Sequence, residues 1–171
     1  MYRSILLSAA AFALVAGTIS AEAACGVPLS GQNTQIKLPP LKRATVPGGD
    51  SIVGFWQVSL IVGDQVILHT MKSWHDDGTE YDNADLPPIG GNVCEGVWKS
   101  TGKRKVHNYH LGWTFDSSGN PSGMFVLTED DTVAKEGNSY TGPFDQKFYD
   151  ADGNLVNEIS GTVSATRVTA E

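Results

Sequence analysis

The sequence predicts an all-β protein, an antiparallel up-and-down barrel of about eight strands preceded by an N-terminal arm. Runs rich in β-branched and aromatic residues recur along the chain, and no segment of residues 24–171 shows a helical period. Because Gly and Asn tolerate a positive φ, they mark the points where one strand reverses into the next. Six such turn motifs separate the runs: Gly63-Asp64, Asp77-Gly78, Thr101-Gly102, Ser118-Gly119-Asn120, Glu136-Gly137-Asn138 and Asp152-Gly153-Asn154.

Residues 1–23 have the organisation of a secretory signal peptide. Arg3 gives a positive start, residues 4–20 are apolar, and Ala21-Glu22-Ala23 has the small-x-small pattern of a cleavage site. The apolar run is too short for a membrane span. Glu22 also stands where acylation of Cys25 would need an aliphatic residue. We therefore expect export to the periplasm or the extracellular space, without membrane insertion.

The net charge of the chain limits the classes of partner that it can bind. The chain carries 12 basic and 19 acidic residues, a formal net charge of −7. Removal of Arg3 and Glu22 with the signal peptide leaves this value unchanged. An acidic surface without a basic stripe repels phosphate backbones and anionic lipids, which excludes nucleic acid and membrane surfaces as expected partners. The sequence leaves the oligomeric state open.

Residues 24–50 are predicted to form an arm, and residues 51–171 the barrel domain. The arm contains Pro28, Pro39-Pro40 and Pro47-Gly48-Gly49, which disfavour long strands and helices. We expect it to cross the outside of the barrel or to plug one end.

The barrel strands are predicted between the turns. In the first, 54–62, residues 56, 58, 60 and 62 are apolar, and a period of two places them on one face. The second covers 65–75 and ends at a turn over 76–79, and a loop covers 83–93. Further strands are predicted at 94–100, 104–115, 122–134, 139–149 and 155–168.

Two features at the ends of the barrel resemble the lipocalins and their calycin relatives. The first strand opens with Gly54-Phe55-Trp56, and Arg167 in the last strand lies in phase with its apolar face. The resemblance implies that Arg167 packs across the indole of Trp56 at the closed end of the barrel. A helix packed beside the barrel, usual in lipocalins, is not visible in the sequence, and a barrel of the allene-oxide-cyclase type is the nearest alternative.

The strand 104–115 carries the candidate ligand-binding face. His107, Tyr109 and Trp113 share the more apolar of its two faces, which we expect to point inward. An aromatic wall with polar tips suits a small apolar or aromatic ligand with one polar end. The alternative is that these aromatic residues fill a solid core. The expected wall is Trp98, His107, Tyr109, Trp113, Phe144 and Phe148.

Catalytic and metal motifs are weak. His107 and Glu129 are candidates for an acid–base pair if both face the interior, and a surface Glu with a satisfied His is the simpler interpretation. His75, Asp76, Asp77 and Glu80 surround a turn and are explained as a hairpin tip. His107 and His110 lie on opposite faces of a strand and cannot chelate together. We therefore predict no metal and no cofactor.

Three functions follow from these observations. The first is an exported barrel that binds a small apolar or aromatic molecule. The second is a barrel enzyme of the isomerase, cyclase or lyase type that uses acid and base groups in its cavity. The third is a structural or interaction module with a solid core. An interior cavity separates the third from the others, and polar groups within hydrogen-bonding reach inside it separate the second from the first.

The two cysteines, Cys25 and Cys94, are predicted to form a disulfide, because an exported chain folds under oxidising conditions. The bridge would tie the arm to the barrel and stabilise it by several kcal/mol, about the value for a long loop. Unfolding the processed protein without reductant should expose no thiol to a maleimide reagent, as measured by mass spectrometry. Labelling at two equivalents would contradict the bridge.

Overall fold

The computed structural model describes Glu22, Ala23 and residues 51–170, in which all the long elements are strands. Within these residues the only helix is one 3-10 turn at Pro88–Gly90, and no helix is long and apolar enough to cross a membrane. The nine strands are β1 Glu22–Ala23, β2 Gly54–Val62, β3 Gln65–Trp74, β4 Thr79–Ala84, β5 Val93–Gly102, β6 Lys105–Phe115, β7 Pro121–Val133, β8 Ser139–Asp150 and β9 Leu155–Val168.

Strands β2 to β9 form a closed antiparallel barrel. Each pairs with the next along the chain, and β9 returns to pair with β2, where Arg167 lies opposite Trp56. Closure leaves none of these eight strands as a free sheet edge. The predicted all-β, eight-stranded up-and-down barrel is therefore confirmed.

The short strand β1 pairs with β6, with Glu22 opposite Phe115 and Ala23 opposite Thr114. Both residues precede the predicted cleavage point. The rest of the predicted signal peptide, the arm and Cys25 lie outside the described residues. The disulfide therefore stays a prediction; its other member, Cys94, is buried near the start of β5.

Strand β4 is the element that the sequence did not predict. Its inward positions include Glu80 and Asp82, which are both buried, and its outward positions include Tyr81. Strands of a barrel usually place polar residues outside and apolar residues inside. Most of this strand has the reverse arrangement. The predicted loop over 83–93 is correspondingly shorter, because β4 runs to Ala84.

One end of the barrel is closed by Trp56 and Arg167. Trp56 is fully buried, and the guanidinium carbon of Arg167 lies 4.0 Å from the centroid of its ring. The guanidinium also donates to the carbonyls of Gly137, Val53 and Ser51, at 2.5, 2.7 and 2.6 Å. The predicted stacking is thus present, and neutral carbonyl groups satisfy the charge.

Gly54 is required beside this arginine. Its φ is +140°, and a Cβ built at this position would collide with Nη1 of Arg167. The Gly-x-Trp pattern therefore has a local physical basis. The glycine makes room for the guanidinium, and the tryptophan two residues later supplies the ring beneath it.

The free energy of unfolding should depend strongly on this ring. Trp56→Ala removes a fully buried indole and should cost about 3–5 kcal/mol. Phe55→Ala is the matched control, because Phe55 is the neighbouring residue on the outer face, 43% exposed. It should cost less than about 1 kcal/mol. Urea unfolding followed by circular dichroism measures both, and equal costs would contradict the assignment.

Candidate functional site

The barrel interior holds a cluster of ionisable and polar side chains, which we call the polar cluster. It lies on strands β3, β4, β6 and β7, and none of its members is more than 2% exposed. Charged groups are rarely buried to this degree unless they are paired, because desolvation costs several kcal/mol per ion, as an order of magnitude. Its members are Lys72, Glu80, Asp82, Asn108, His110, Glu129 and Asp131.

Lys72 lies at the centre of the polar cluster. Its ammonium group donates to Glu129 Oε1 at 2.6 Å and lies 3.6 Å from Asp82 Oδ2 and 3.8 Å from Glu80 Oε1. Burial by itself lowers the pKa of Lys72. The carboxylates of Glu129, Glu80 and Asp82 outweigh this effect and hold the pKa well above its ordinary value. Lys72 therefore stays charged inside the barrel.

His110 forms a second contact with the carboxylates. Its Nδ1 lies 2.8 Å from Glu80 Oε2, and its ring stacks on Phe125 with centroids 5.8 Å apart. Burial lowers the pKa of His110, but the charge and hydrogen bond of Glu80 raise it above its ordinary value. Burial raises the pKa of Glu80, and Lys72 and His110 together bring it below its ordinary value. The two residues form a charge-assisted pair.

Two aspartates of the cluster have raised pKa values, in contrast to Glu80. Burial raises the pKa of Asp82 to about 6, in spite of the opposing charge of Lys72. Burial, reinforced by the charge of Glu129, raises the pKa of Asp131 well above its ordinary value. Protonation of these two carboxyl groups leaves two negative glutamates beside the positive Lys72 and His110, so the cluster reaches neutrality by taking up protons.

Several buried polar atoms of the cluster have no hydrogen-bonding partner among the described residues. Native interiors seldom leave such atoms unpaired, and an exception calls for an unseen water, ion or ligand or for a functional role. Two of these atoms are His110 Nε2 and Asn108 Oδ1. These atoms therefore have hydrogen-bonding capacity that another molecule could use.

Aromatic side chains enclose the polar cluster on two sides. On one side, Tyr140 packs edge-on against Trp56 and Trp74, with centroids 4.8 and 5.9 Å apart, and Lys72 lies over Trp74. On the other, Phe125 contacts Phe148 and His110. The barrel interior is therefore charged in its middle and apolar beyond it.

The face of β6 predicted to line the interior is on the outside. Tyr109 and Trp113 are 43% and 66% exposed, whereas Asn108 and His110 on the other face are fully buried. The prediction was wrong because it placed the more apolar face inward. The interior here is polar, and the aromatic residues are left outside.

The suggested pairing of His107 with Glu129 is also wrong. His107 points outward, where its Nδ1 lies 2.9 Å from Asp130 Oδ1. Glu129 points inward and binds Lys72. Since adjacent residues of a strand face opposite sides, the partner of His107 is the residue next to Glu129.

The remaining predicted wall residues have inward or partly buried positions. Phe144 and Phe148 are buried in the core. Trp98 packs partly buried against Trp74, with centroids 5.9 Å apart, and its indole N–H donates to the carbonyl of His75. Their role in binding a ligand remains a prediction.

Sequence reasoning missed most of the polar cluster, although a usable pattern is present. On β7, Glu129 and Asp131 continue the inward phase of Phe125 and Leu127. On β3, Lys72 lies between the inward residues Thr70 and Trp74. A charge in phase with apolar residues indicates a buried partner of opposite charge; for Glu129 this partner is Lys72 and not His107.

The polar cluster includes a possible set of metal ligands. Ligand atoms of Glu80, Asp82 and His110 lie within 4.8 Å of one another. The ammonium group of Lys72, however, lies 3.8 and 3.6 Å from the same two carboxylates. It supplies part of the positive charge that a metal ion would bring and would repel a metal ion from these carboxylates.

Comparison with protein-family models, with curated proteins and with solved structures finds no match for this chain. What the structure shows is an eight-stranded antiparallel barrel with Arg167 stacked on Trp56.

The pKa shifts in the cluster set the direction of its pH dependence. Asp82 and Asp131 have raised pKa values, so their contribution to stability is present at low pH and is lost as pH rises through the folded-state values. The raised pKa of His110 adds a loss above its ordinary 6.5. The lowered pKa of Glu80 acts oppositely, since its contribution is lost below its ordinary 4.5.

We therefore expect the barrel to be most stable near about pH 5 and less stable at pH 8, with Asp82 alone contributing about 1 kcal/mol to this difference. Asp131→Asn, which resembles the protonated carboxyl, should raise Tm at pH 8. It should therefore reduce the difference between Tm at pH 5 and Tm at pH 8. Asp130→Asn, the exposed neighbour, is the control and should leave the profile unchanged. Thermal unfolding across this range measures both, and an unaltered profile in Asp131→Asn would contradict the assignment.

Proposed function

We propose that this protein is an exported barrel that binds a small molecule inside, at the polar cluster. The ligand has an apolar or aromatic body and a basic, hydrogen-bond-donating group. The observation that carries this proposal is the excess of acid. Among residues 51–170, four buried carboxyl groups of the cluster, on Glu80, Asp82, Glu129 and Asp131, face two basic side chains, on Lys72 and His110. Export is inferred from the signal-like residues 1–23.

A basic ligand matches this excess of acid. Its cation could replace the protons that neutralise Asp82 and Asp131. The aromatic side chains on both sides of the cluster suit an apolar body. Lipocalin-like barrels can enclose one small ligand, so the contact between Trp56 and Arg167 supports the same proposal, with an allene-oxide-cyclase-like barrel as the alternative.

The proposal requires that a ligand can reach the buried polar cluster. Every member of the polar cluster is buried, so a ligand can enter only when side chains at one end of the barrel move. Binding that waits for such a motion is slower than a diffusional encounter. We therefore expect slow association whose rate saturates with ligand concentration.

Proton-transfer catalysis at the same cluster is the second candidate. Glu80 has a lowered pKa and Asp131 a raised one, so a base and an acid are available together inside one barrel. Such opposed shifts mark the acid and base roles of many enzymes. An isomerase, cyclase or lyase would need this pair and no cofactor.

Native mass spectrometry of the protein purified from its own host is the first test, because a retained small molecule would identify the ligand class. The solution test compares two naphthalene probes of one shape, 2-naphthylmethylamine and 2-naphthylmethanol, by titration calorimetry. The amine should bind about ten-fold or more tightly, as expected when a charged hydrogen bond is gained. Its binding should release protons and strengthen as pH rises from 5 to 7.

Asp131→Asn should weaken binding of the amine and leave binding of the alcohol unchanged. Asp130→Asn should change the affinity for neither probe. Equal binding of the two probes, or a loss common to both variants, would contradict a site at the polar cluster. Exchange of a probe or ligand C–H with deuterated solvent, abolished in Glu80→Gln, would favour catalysis over simple binding. Binding of neither probe, with no retained molecule, would favour the solid-core module.

A further inference from the structure

A pocket of about 320 Å³ lies at the end of the barrel closed by Trp56 and Arg167. Ser51 and Ile52 line it, and the carbonyl of Ser51 accepts a hydrogen bond from Arg167, which fixes this side of the pocket. Its other walls come from the end of β5, the turn that follows and the start of β6. The floor is apolar, with Trp98, Val106 and Val133, and none of the pocket's lining residues is acidic.

The polar wall of this pocket is cationic. Arg104 and Lys105 both line it, and neither has a carboxylate partner in the part of the chain that the structure describes. The Nε atom of Arg104 is buried and has no hydrogen-bonding partner there either. A buried guanidinium N–H without an acceptor is costly, and it is an ideal donor for a carboxylate.

The backbone holds Arg104 in this position. Its φ is +61°, the one positive value among the described residues other than glycine. An arginine in this region is strained, and such a residue persists only when its surroundings enforce the conformation. Here the carbonyl of Arg104 accepts a hydrogen bond from the amide of Val133 at 2.8 Å, which ties the turn to β7. The side chain is thereby directed to the pocket.

We propose that this pocket binds a small organic monoanion, a carboxylate on a compact aromatic or branched apolar body. The carboxylate would accept hydrogen bonds from Arg104 Nε and from Lys105, and the body would lie against Trp98 and Val133. The net charge of −7 opposes polyanions, which leaves a small singly charged molecule as the suitable class. The site is separate from the polar cluster and of opposite charge preference.

The test uses 2-naphthoate as the probe and the uncharged 2-naphthamide as its control, titrated into the full processed protein. One naphthoate per chain should bind saturably. Its binding should change the chemical shifts of the Trp98 indole N–H and the Gly102 amide. Arg104→Asn should weaken binding about ten-fold or more, because a charged hydrogen bond is lost. Asn tolerates the positive φ, so the turn should be kept.

Lys103→Gln is the matched control, since it removes the same charge from the neighbouring residue, which does not line the pocket. It should change affinity less than about two-fold in 0.15 M salt, where distant charges are screened. Equal binding of amide and acid, an equal loss in Lys103→Gln, or no binding at millimolar naphthoate would each overturn the proposal. If Arg104→Asn does not fold, NMR shifts in the unmodified protein that lie elsewhere than at Trp98 and Gly102 would also overturn it.

Discussion

The rest of the barrel is arranged around the need to neutralise charge in its interior. Lys72 is buried together with Glu80, Asp82 and Glu129, all within 3.8 Å of its ammonium group. A single cation cannot balance this many carboxyl groups at low dielectric. His110 and two protonated aspartates are needed to complete the balance. The aromatic side chains on both sides then keep water away from a set of charges that is neutral as a whole.

Two of the buried cations of the barrel, Arg167 and Lys72, are neutralised in different ways. Arg167 spreads its charge over three backbone carbonyls and an indole ring, none of which titrates. Lys72 relies on carboxylates, which do titrate. The closed end should therefore be insensitive to pH, while the middle of the barrel responds to it. A planar guanidinium suits the first role, and a compact ammonium group suits the second.

The fold could be predicted from the sequence because turn motifs and two-residue alternation are local properties. Seven strands between Gly54 and Val168 were predicted in this way, and the contact of Arg167 with Trp56 was what the resemblance to lipocalins implied. The candidate site could not be predicted in the same way. Its carboxylates made β4 resemble a loop, and its polar residues on β6 made the inner face resemble an outer one. Which charges share an interior depends on barrel closure, which no local pattern encodes.

The alternation of acids along β7 has a consequence for how the chain folds. Glu129, Asp130 and Asp131 follow one another, with the first and third inside and the second outside. A slip of one residue in register would reverse all three and leave Lys72 facing the wrong carboxylate. Lys72 and Glu129 are 57 residues apart and lie on strands that are not neighbours in the sheet. Their contact forms only when the sheet curls on itself, so the pair of Lys72 and Glu129 requires both the correct register and barrel closure.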